Sequence, residues 1–281
     1  MASHQGVYGV KRMCRALSVS RSGYYAWCGR PASRRTQAND VLVAQIREEF
    51  RASRHTYGSP RIHAALRRKG AMCGRNRVVR LMRLHGMAAR RTRRRFPRTT
   101  QRDLGAIPAP NLLRQDFASA APDRKWVSDI TYIDTAEGWL YLAAVMDLFS
   151  RRVVGWAMAD HMHASLAQAA FEMAMLQRDP ATGLLHHSDQ GSQYTSEAYQ
   201  QAMRAHQCEV SMSRVGNCFD NAPIESFFRT LKAECATQQF ATQAQARTAI
   251  FEYIEAWYNR RRLHSSLDYL SPAEFESRSR D

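Results

Sequence analysis

A chain of 281 residues is long enough for two domains, and it carries a formal net charge of +16. No apolar run reaches the roughly 18 residues of a membrane-spanning helix and no signal peptide is recognisable, which argues against membrane placement. Six cysteines without C-x-x-C spacing, and no histidine pair to complete a zinc pattern, point to free buried thiols in a reducing cytoplasm.

The charge is divided unevenly along the chain. Residues 1–120 hold 26 Lys+Arg against 5 Asp+Glu, a net +21, whereas residues 121–281 are net −5. Such a front half suits a polyanion partner. Of the basic residues 37 are Arg and 4 are Lys. Bidentate phosphate recognition and a GC-rich genome explain that bias equally well.

Residues 1–35 read as a short helical segment. Residues 36–88 carry the pattern of a small helical domain. Val41, Ile46 and Phe50 lie at near-helical spacing. Ser59 followed by Pro60 reads as an N-cap and a first-turn proline, opening a helix to about Lys69 that buries Ile62, Ala65 and Leu66 and exposes Arg61, Arg67 and Arg68. Gly70 and Gly74 bracket a turn. A third helix from Arg75 to His85, closed by Gly86, places Val78, Leu81 and Met82 on one stripe and Asn76, Arg80 and Arg83 on another. Two short helices about a glycine turn, the second one basic, make a helix-turn-helix pattern with Arg61, Asn76, Arg80 and Arg83 as candidate DNA contacts. The alternative is a helical domain with a solvated basic face.

Residues 89–122 read as a linker. RRTRRRFPR (90–98) is too charged to bury, and Pro97, Pro108, Pro110 and Pro122 punctuate the rest, with LLRQDF (112–117) able to dock on a neighbouring surface. From residue 123 the pattern changes. WVSDITYI (126–133), WLYLAAVMD (139–147) and RRVVGWAM (151–158) form a three-stranded antiparallel meander. A helix near 166–176, a strand ending at Asp189, a helix at 197–205 and the strand EVSM (209–212) follow. That order is the order of the ribonuclease-H fold, so residues 123–281 are expected to form an α/β core with a C-terminal helical extension.

Three acids stand out within it. Asp129 sits mid-strand, where aspartate is intrinsically disfavoured. Asp189 ends an apolar strand, and Glu225 follows after 35 intervening residues in a patterned helix. In that helix Ile224, Phe227, Phe228 and Leu231 form one stripe, while Glu225, Arg229 and Lys232 form the adjacent one. Asp220 or Asn221 would cap it, with Pro223 in the first turn. Hard oxygen ligands on neighbouring elements are what a pair of Mg²⁺ ions roughly 4 Å apart requires for phosphodiester displacement. Lys232 lies about 10 Å along the helix from Glu225, within reach of a phosphate next to the scissile one. Singly, each acid has a plainer explanation: Asp189 as a turn residue before Gly191, Glu225 as an ion-pair partner of Arg229. Asp147, before a hairpin turn, reads as structural; His187 stays open between packing or surface, the usual place of a strand histidine, and a contact to DNA or to a ligating acid.

Taken with SRSGYYAW (20–27), TYGSPRIHAAL (56–66), SMSRVGNCFDNA (211–222) and YNRRRLHSSLDYLSPAEF (258–275), the acidic motifs give the chain a resemblance over nearly its whole length. It resembles the DDE transposases with a retroviral-integrase-like core, and among them the second-reading-frame (OrfB) products of bacterial insertion sequences. The resemblance implies catalysis and metal binding by Asp129, Asp189 and Glu225. It further implies two Mg²⁺ ions with Mn²⁺ able to substitute, and DNA contact by Lys232 and Arg229. DNA partners would be the element ends and a target, the assembly a homo-oligomer on DNA, and the setting the bacterial cytoplasm at the nucleoid. The upstream-frame OrfA product, as partner or fusion, stays open, because no heptad run is present here. The roles of Asn259, Arg262 and His264 are also open. A ribonuclease-H-like nuclease without strand transfer, and a DNA-binding regulator with an inactive core, are the competing classes.

Overall fold

The computed structural model describes residues 1–4, 6–90 and 108–279, apart from the side chain of Cys218. The basic run RRTRRRFPR falls almost wholly outside these residues. Among the described residues five α-helices precede the sheet: α1 (Val10–Ala16), α2 (Arg21–Cys28), α3 (Arg34–Ala52), α4 (Ser59–Arg68) and α5 (Arg75–Leu84). Helix α3 begins earlier than its apolar spacing suggests. Its polar first two turns are started by Ser33, whose hydroxyl accepts from the Thr36 amide. Helix α4 carries Pro60 in its first turn as expected, but its cap position is Gly58 and Ser59 is already helical. Leu42, Val43, Ile46, Phe50, Ile62, Leu66, Val78, Leu81 and Met82 converge into one apolar core between α3, α4 and α5.

The second unit is a five-stranded sheet ordered β3-β2-β1-β4-β5, comprising β1 (Lys125–Thr135), β2 (Gly138–Asp147), β3 (Val153–Ala159), β4 (Leu185–Ser188) and β5 (Glu209–Met212). Strands β1, β2 and β3 form the antiparallel meander, and β4 and β5 join β1 in parallel. This is the ribonuclease-H order expected from the sequence. Helix α6 (Ala164–Arg178) crosses one face, with α7 (Ser192–Thr195) and α8 (Glu197–Ala205) beside it. Gly155 makes the crossing possible: a Cβ there would meet the Ala170 carbonyl oxygen at 2.2 Å. Helices α9 (Ala222–Glu234) and α10 (Gln243–Glu252) cover the other face. Helix α10 runs into a π-helical turn, Tyr253–Tyr258, and α11 (Pro272–Arg278) ends the described chain behind a capping box of Ser271 and Glu274.

Two expectations need correcting. The segment read as linker is part of the core from residue 108 onward. Leu113 is buried in the sheet core, the Leu112 and Leu113 amides donate to Ser211 Oγ, and Asn111 and Gln115 donate to the Asp220 carboxylate. Its prolines and charges hide a strap that satisfies its backbone on β5. Arg61 is also not on an open basic face. Its Nε donates to the Leu263 carbonyl at 2.9 Å and its guanidinium lies over the Tyr57 ring, because α4 packs against the C-terminal segment. The five cysteines whose side chains are described are free thiols, of which only Cys14 is fully buried. No helix among the described residues is long and apolar enough to cross a membrane.

Candidate active site

The acidic groove is assembled by strand pairing. Strands β1 and β4 pair in parallel with Trp126 opposite His186 and Val127 opposite His187. Asp189 follows the end of β4 directly, which brings it near enough to Asp129 on β1 to raise its pKa. Asp129 Oδ1 accepts from the Ile130 amide at 2.7 Å, and Asp189 Oδ1 accepts from the Gly191 amide at 2.9 Å. A Cβ at Gly191 would stand 3.0 Å from that same Asp189 oxygen, so the turn that orients the carboxylate favours glycine.

Glu225 comes from the first turn of α9. Ile224, Phe227, Phe228 and Leu231 anchor that helix in the core, which fixes its rotation and leaves Glu225 half-buried toward the strand ends. Burial raises the Asp129 pKa well above the ordinary carboxylate value; Asp189 and Glu225 add to the rise and Lys232 opposes it. The Glu225 pKa is raised too, by burial first and by Asp189, against a lowering effect of Arg229. The three acids therefore feel one another in one groove.

Among the described residues, no three His, Cys, Asp or Glu side chains stand close enough to hold a metal ion. The donor set nevertheless suits a hard divalent cation: three carboxylate side chains that repel one another. Orphaned polar atoms flank them. Gln190 Oε1, the Tyr194 hydroxyl and Asn221 Oδ1 are buried with no hydrogen-bond partner. Tyr194 is held in its protonated form by burial and by the nearby Tyr199, Asp129 and Asp189. The groove fits the cation in donor chemistry, while its carboxylates stand too far apart here to form a ligand shell.

Lys232, two turns after Glu225, is half-buried with its Nζ 4.2 Å from the centroid of the Tyr132 ring, while Arg229 is exposed. Asn76, Arg80 and Arg83 are all exposed on α5, as its stripe predicts.

Other expectations resolve differently. His187 is no DNA contact. Its ring nitrogens meet Ser211 Oγ and Ser213 Oγ at 2.8 and 3.1 Å, and burial lowers its pKa to about 4. Asn221 occupies the N-cap position of α9 as expected, but neither it nor Asp220 caps the helix through its side chain. Asp220 instead accepts from Arg214, Asn217, Asn111 and Gln115, tying the loop before α9 to the strap, and Asn221 donates to the Ser128 carbonyl. Asp147 is structural as expected, bonded to Ser150 inside the fold. Asn259 exchanges two hydrogen bonds with the Val153 backbone, Arg262 forms a buried pair with Glu234, and His264 packs edge-on against Tyr258. Tyr132, Tyr194 and Glu234 escaped the sequence reading. Only the position of Tyr194, five residues after Asp189, hinted at a place beside the groove.

A five-stranded sheet of ribonuclease-H order, an acidic groove at its strand ends and a preceding three-helix unit define an integrase-type core joined to a helix-turn-helix-like domain. Sequence comparison agrees. Residues 119–218 and 225–279 match the integrase core domain family and residues 37–95 match the HTH-like domain family. Among solved structures, the chain is similar to one in the simian T-cell lymphotropic virus intasome complexed with PP2A regulatory subunit B56 gamma. The TM-score is 0.47 and the identity 16%, covering 76% of this chain and 69% of that one. Transposase InsF for insertion sequence IS3A of Escherichia coli (strain K12) is 41% identical over 279 residues, 98% of this chain and 96% of the relative. The insertion element IS600 uncharacterized 31 kDa protein of Shigella sonnei is 42% identical over 267 residues, 95% of this chain and 98% of that protein. The chain belongs to the IS3-type insertion-sequence transposases, polynucleotidyl transferases of the integrase class.

Proposed function

We propose that this transposase cuts and joins DNA in the groove between β1, β4 and α9, with Asp129, Asp189 and Glu225 as the catalytic acids. The convergence of the three acids carries the reading: beyond the larger effect of burial, Asp189 and Glu225 both raise the Asp129 pKa and Asp189 raises that of Glu225, and carboxylates left to repel one another at a fold's strand ends call for a cation. Those three side chains would hold divalent cations, two Mg²⁺ for which Mn²⁺ could substitute, supplying charge neutralisation at the attacking and leaving oxygens of the phosphodiester. The carboxylates themselves orient the nucleophile, water for nicking an element end and a freed 3′-hydroxyl for joining it to the other end or to a target. No covalent bond to the protein is needed. Lys232 binds the phosphate beside the scissile one, and exposed Arg229 extends that contact. Asn76, Arg80 and Arg83 on α5 hold the duplex electrostatically, on element ends and target alike. We further take the active form to be a homo-oligomer on DNA at the nucleoid, with an upstream-frame product or fusion as a candidate further partner. The domain division follows the same reading: helix-turn-helix unit, basic connection, catalytic core.

The test is direct. Asp129→Asn, Asp189→Asn and Glu225→Gln are expected to lose Mg²⁺-dependent nicking and joining of DNA ends from the protein's own locus while keeping DNA affinity within a few-fold. Substantial strand transfer by any one of them removes that residue from the catalytic set. Nicking without joining by the unaltered protein would mark a simple nuclease.

A further inference from the structure

The motif YNRRRLHSSLDYLSPAEF is a feature of the sequence that DNA chemistry leaves without a task. In the structure it is where the helix-turn-helix unit meets the core. Leu263 is shared by both: its amide donates to the Tyr57 hydroxyl at 2.7 Å, its carbonyl accepts from Arg61 Nε, and its side chain lies in the apolar core of the helical unit. The Tyr57 ring packs against Trp257, centroids 5.9 Å apart. Arg68 of α4 donates to the Tyr269 carbonyl and pairs with Glu274.

The residue before Leu263 leads back to the groove. Arg262 is buried and donates through Nε and Nη2 to the carboxylate of Glu234 at 2.9 to 3.1 Å. Glu234 also accepts from the Tyr253 hydroxyl and from Trp257 Nε1. It is the last residue of α9, the helix that carries Glu225 and Lys232. One rigid helix thus presents Glu225 at its start and, about 14 Å along at ~1.5 Å per residue, grips at its end the loop that holds the helical unit. A planar guanidinium in a two-pronged contact fixes orientation as well as distance. A buried ion pair is weak evidence for stability but suits fixing register.

We propose that the Glu234–Arg262 pair and Leu263, with Tyr57 and Arg61 docked on it, are positioning elements that set the distance and angle between the basic stripe of α5 and the acidic groove, and so select which phosphodiester is cut. The proposal rests on the reading of Asp129, Asp189 and Glu225 as the catalytic acids. It gives Arg61 an intramolecular task in place of DNA contact. It also accounts for the polar, hydrogen-bonded character of the junction, since directed bonds specify one orientation where apolar contact alone would tolerate several.

The experiment uses the full chain with a labelled DNA end from its own locus and Mg²⁺, and reads both total cleavage and the position of each cut on a sequencing gel. Tyr57→Phe together with Arg61→Ala loosens the junction without touching the groove. Tyr57→Phe alone and Arg262→Lys are milder variants that keep a fold if the double variant does not. The expected result is DNA affinity within about 3-fold of wild type, with correctly placed cutting reduced about 10- to 100-fold and cuts spread over neighbouring phosphodiesters, as misplacement by ~1 Å produces. Wild-type position and rate in folded variants overturn the proposal. So does an equal loss of affinity and cutting with position unchanged, which marks a merely structural contact. Asp189→Asn is run alongside: Mg²⁺-dependent cutting by that variant overturns the reading of the acids instead, and the two failures are told apart.

Discussion

Lys232 and Tyr132 face each other across the boundary between α9 and β1, the ammonium 4.2 Å from the ring centroid. Tyr132 lies three residues beyond Asp129 on the same strand. Burial lowers the Lys232 pKa and Asp129 raises it. The lysine is therefore held over an aromatic face at the edge of the acidic groove. Lys232→Ala is expected to reduce strand transfer at least 10-fold while changing DNA affinity by less than about 3-fold, because one phosphate contact among many sets register more than it sets affinity. Tyr132→Leu is expected to give a smaller loss of the same kind. A double-mutant cycle on strand transfer then yields a coupling of about 1 kcal/mol. Equal losses in affinity and rate would return Lys232 to the general basic surface.

The exposed stripe on α5 and the docked face of α4 predict different salt behaviour. Arg80→Ala and Arg83→Ala are each expected to flatten the dependence of log K on log[salt] by about 0.9, the share of one phosphate contact. Arg61→Ala is expected to leave that slope unchanged and to lower the melting temperature, since its partner is the Leu263 carbonyl. Titrations at several salt concentrations decide, and a slope change for Arg61→Ala would place it on DNA after all.

His187 supplies a pH signature. Its folded pKa of about 4 lies below the ordinary value of 6.5. A depressed pKa of this kind means the unfolded chain takes up the proton first, so its stabilising contribution is full above pH 6.5 and declines as pH falls toward 4. Between pH 7 and pH 5 that decline is about 2 kcal/mol. His187→Asn, able to bond both serines, is expected to be less stable at pH 7 and to lose about that much less on acidification. Chemical denaturation at the two pH values checks it; parallel losses in both proteins would mean the histidine is charged in the fold.

Removal of divalent cations is expected to cost stability. Besides burial, Asp189 and Glu225 raise the Asp129 pKa and Asp189 raises that of Glu225; a bound cation relieves such repulsion and stabilises the fold by linkage. At tenfold over its dissociation constant a cation contributes about 1.4 kcal/mol, a shift of a few degrees for a domain of this size. Melting of metal-stripped protein with and without millimolar Mg²⁺ or Mn²⁺ measures it, and Asp189→Asn is expected to lose most of the rise. Indifference to both ions would mean the ligand set closes only on DNA, in line with its open arrangement here.

What the sequence made legible was whatever periodicity governs. The α9 stripe of Ile224, Phe227, Phe228 and Leu231, the meander, and the exposed Asn76, Arg80 and Arg83 all follow from alternating or 3.6-residue patterns. Asp129 stood out because an acid inside a largely apolar strand needs a reason, and Asp189 because it follows a strand directly. What escaped depends on partners far away in sequence. Arg61 finds its carbonyl 202 residues later, and Glu234 its guanidinium 28 residues later. The strap at 111–117 looked like linker because its burial is supplied by Ser211 and Asp220, not by its own pattern. The first turns of α3 carry no apolar signal, only a serine cap.

Asn259 and the strap have a joint effect on the outline of the sheet. On the outer strand β3, Val153 exchanges both backbone bonds with the Asn259 side chain, the Trp156 amide meets Met173 Sδ, and the Met158 carbonyl accepts from Arg247. On the opposite outer strand, β5, the Met212 amide donates to the Pro110 carbonyl and Ser211 takes the two strap amides. Both margins are thus blunted by the chain's own groups, as edge strands are when stray pairing must be avoided. Edge-to-edge strand pairing between copies that gather on DNA is disfavoured at those positions. A partner peptide could join by strand addition only after the strap or Asn259 had let go.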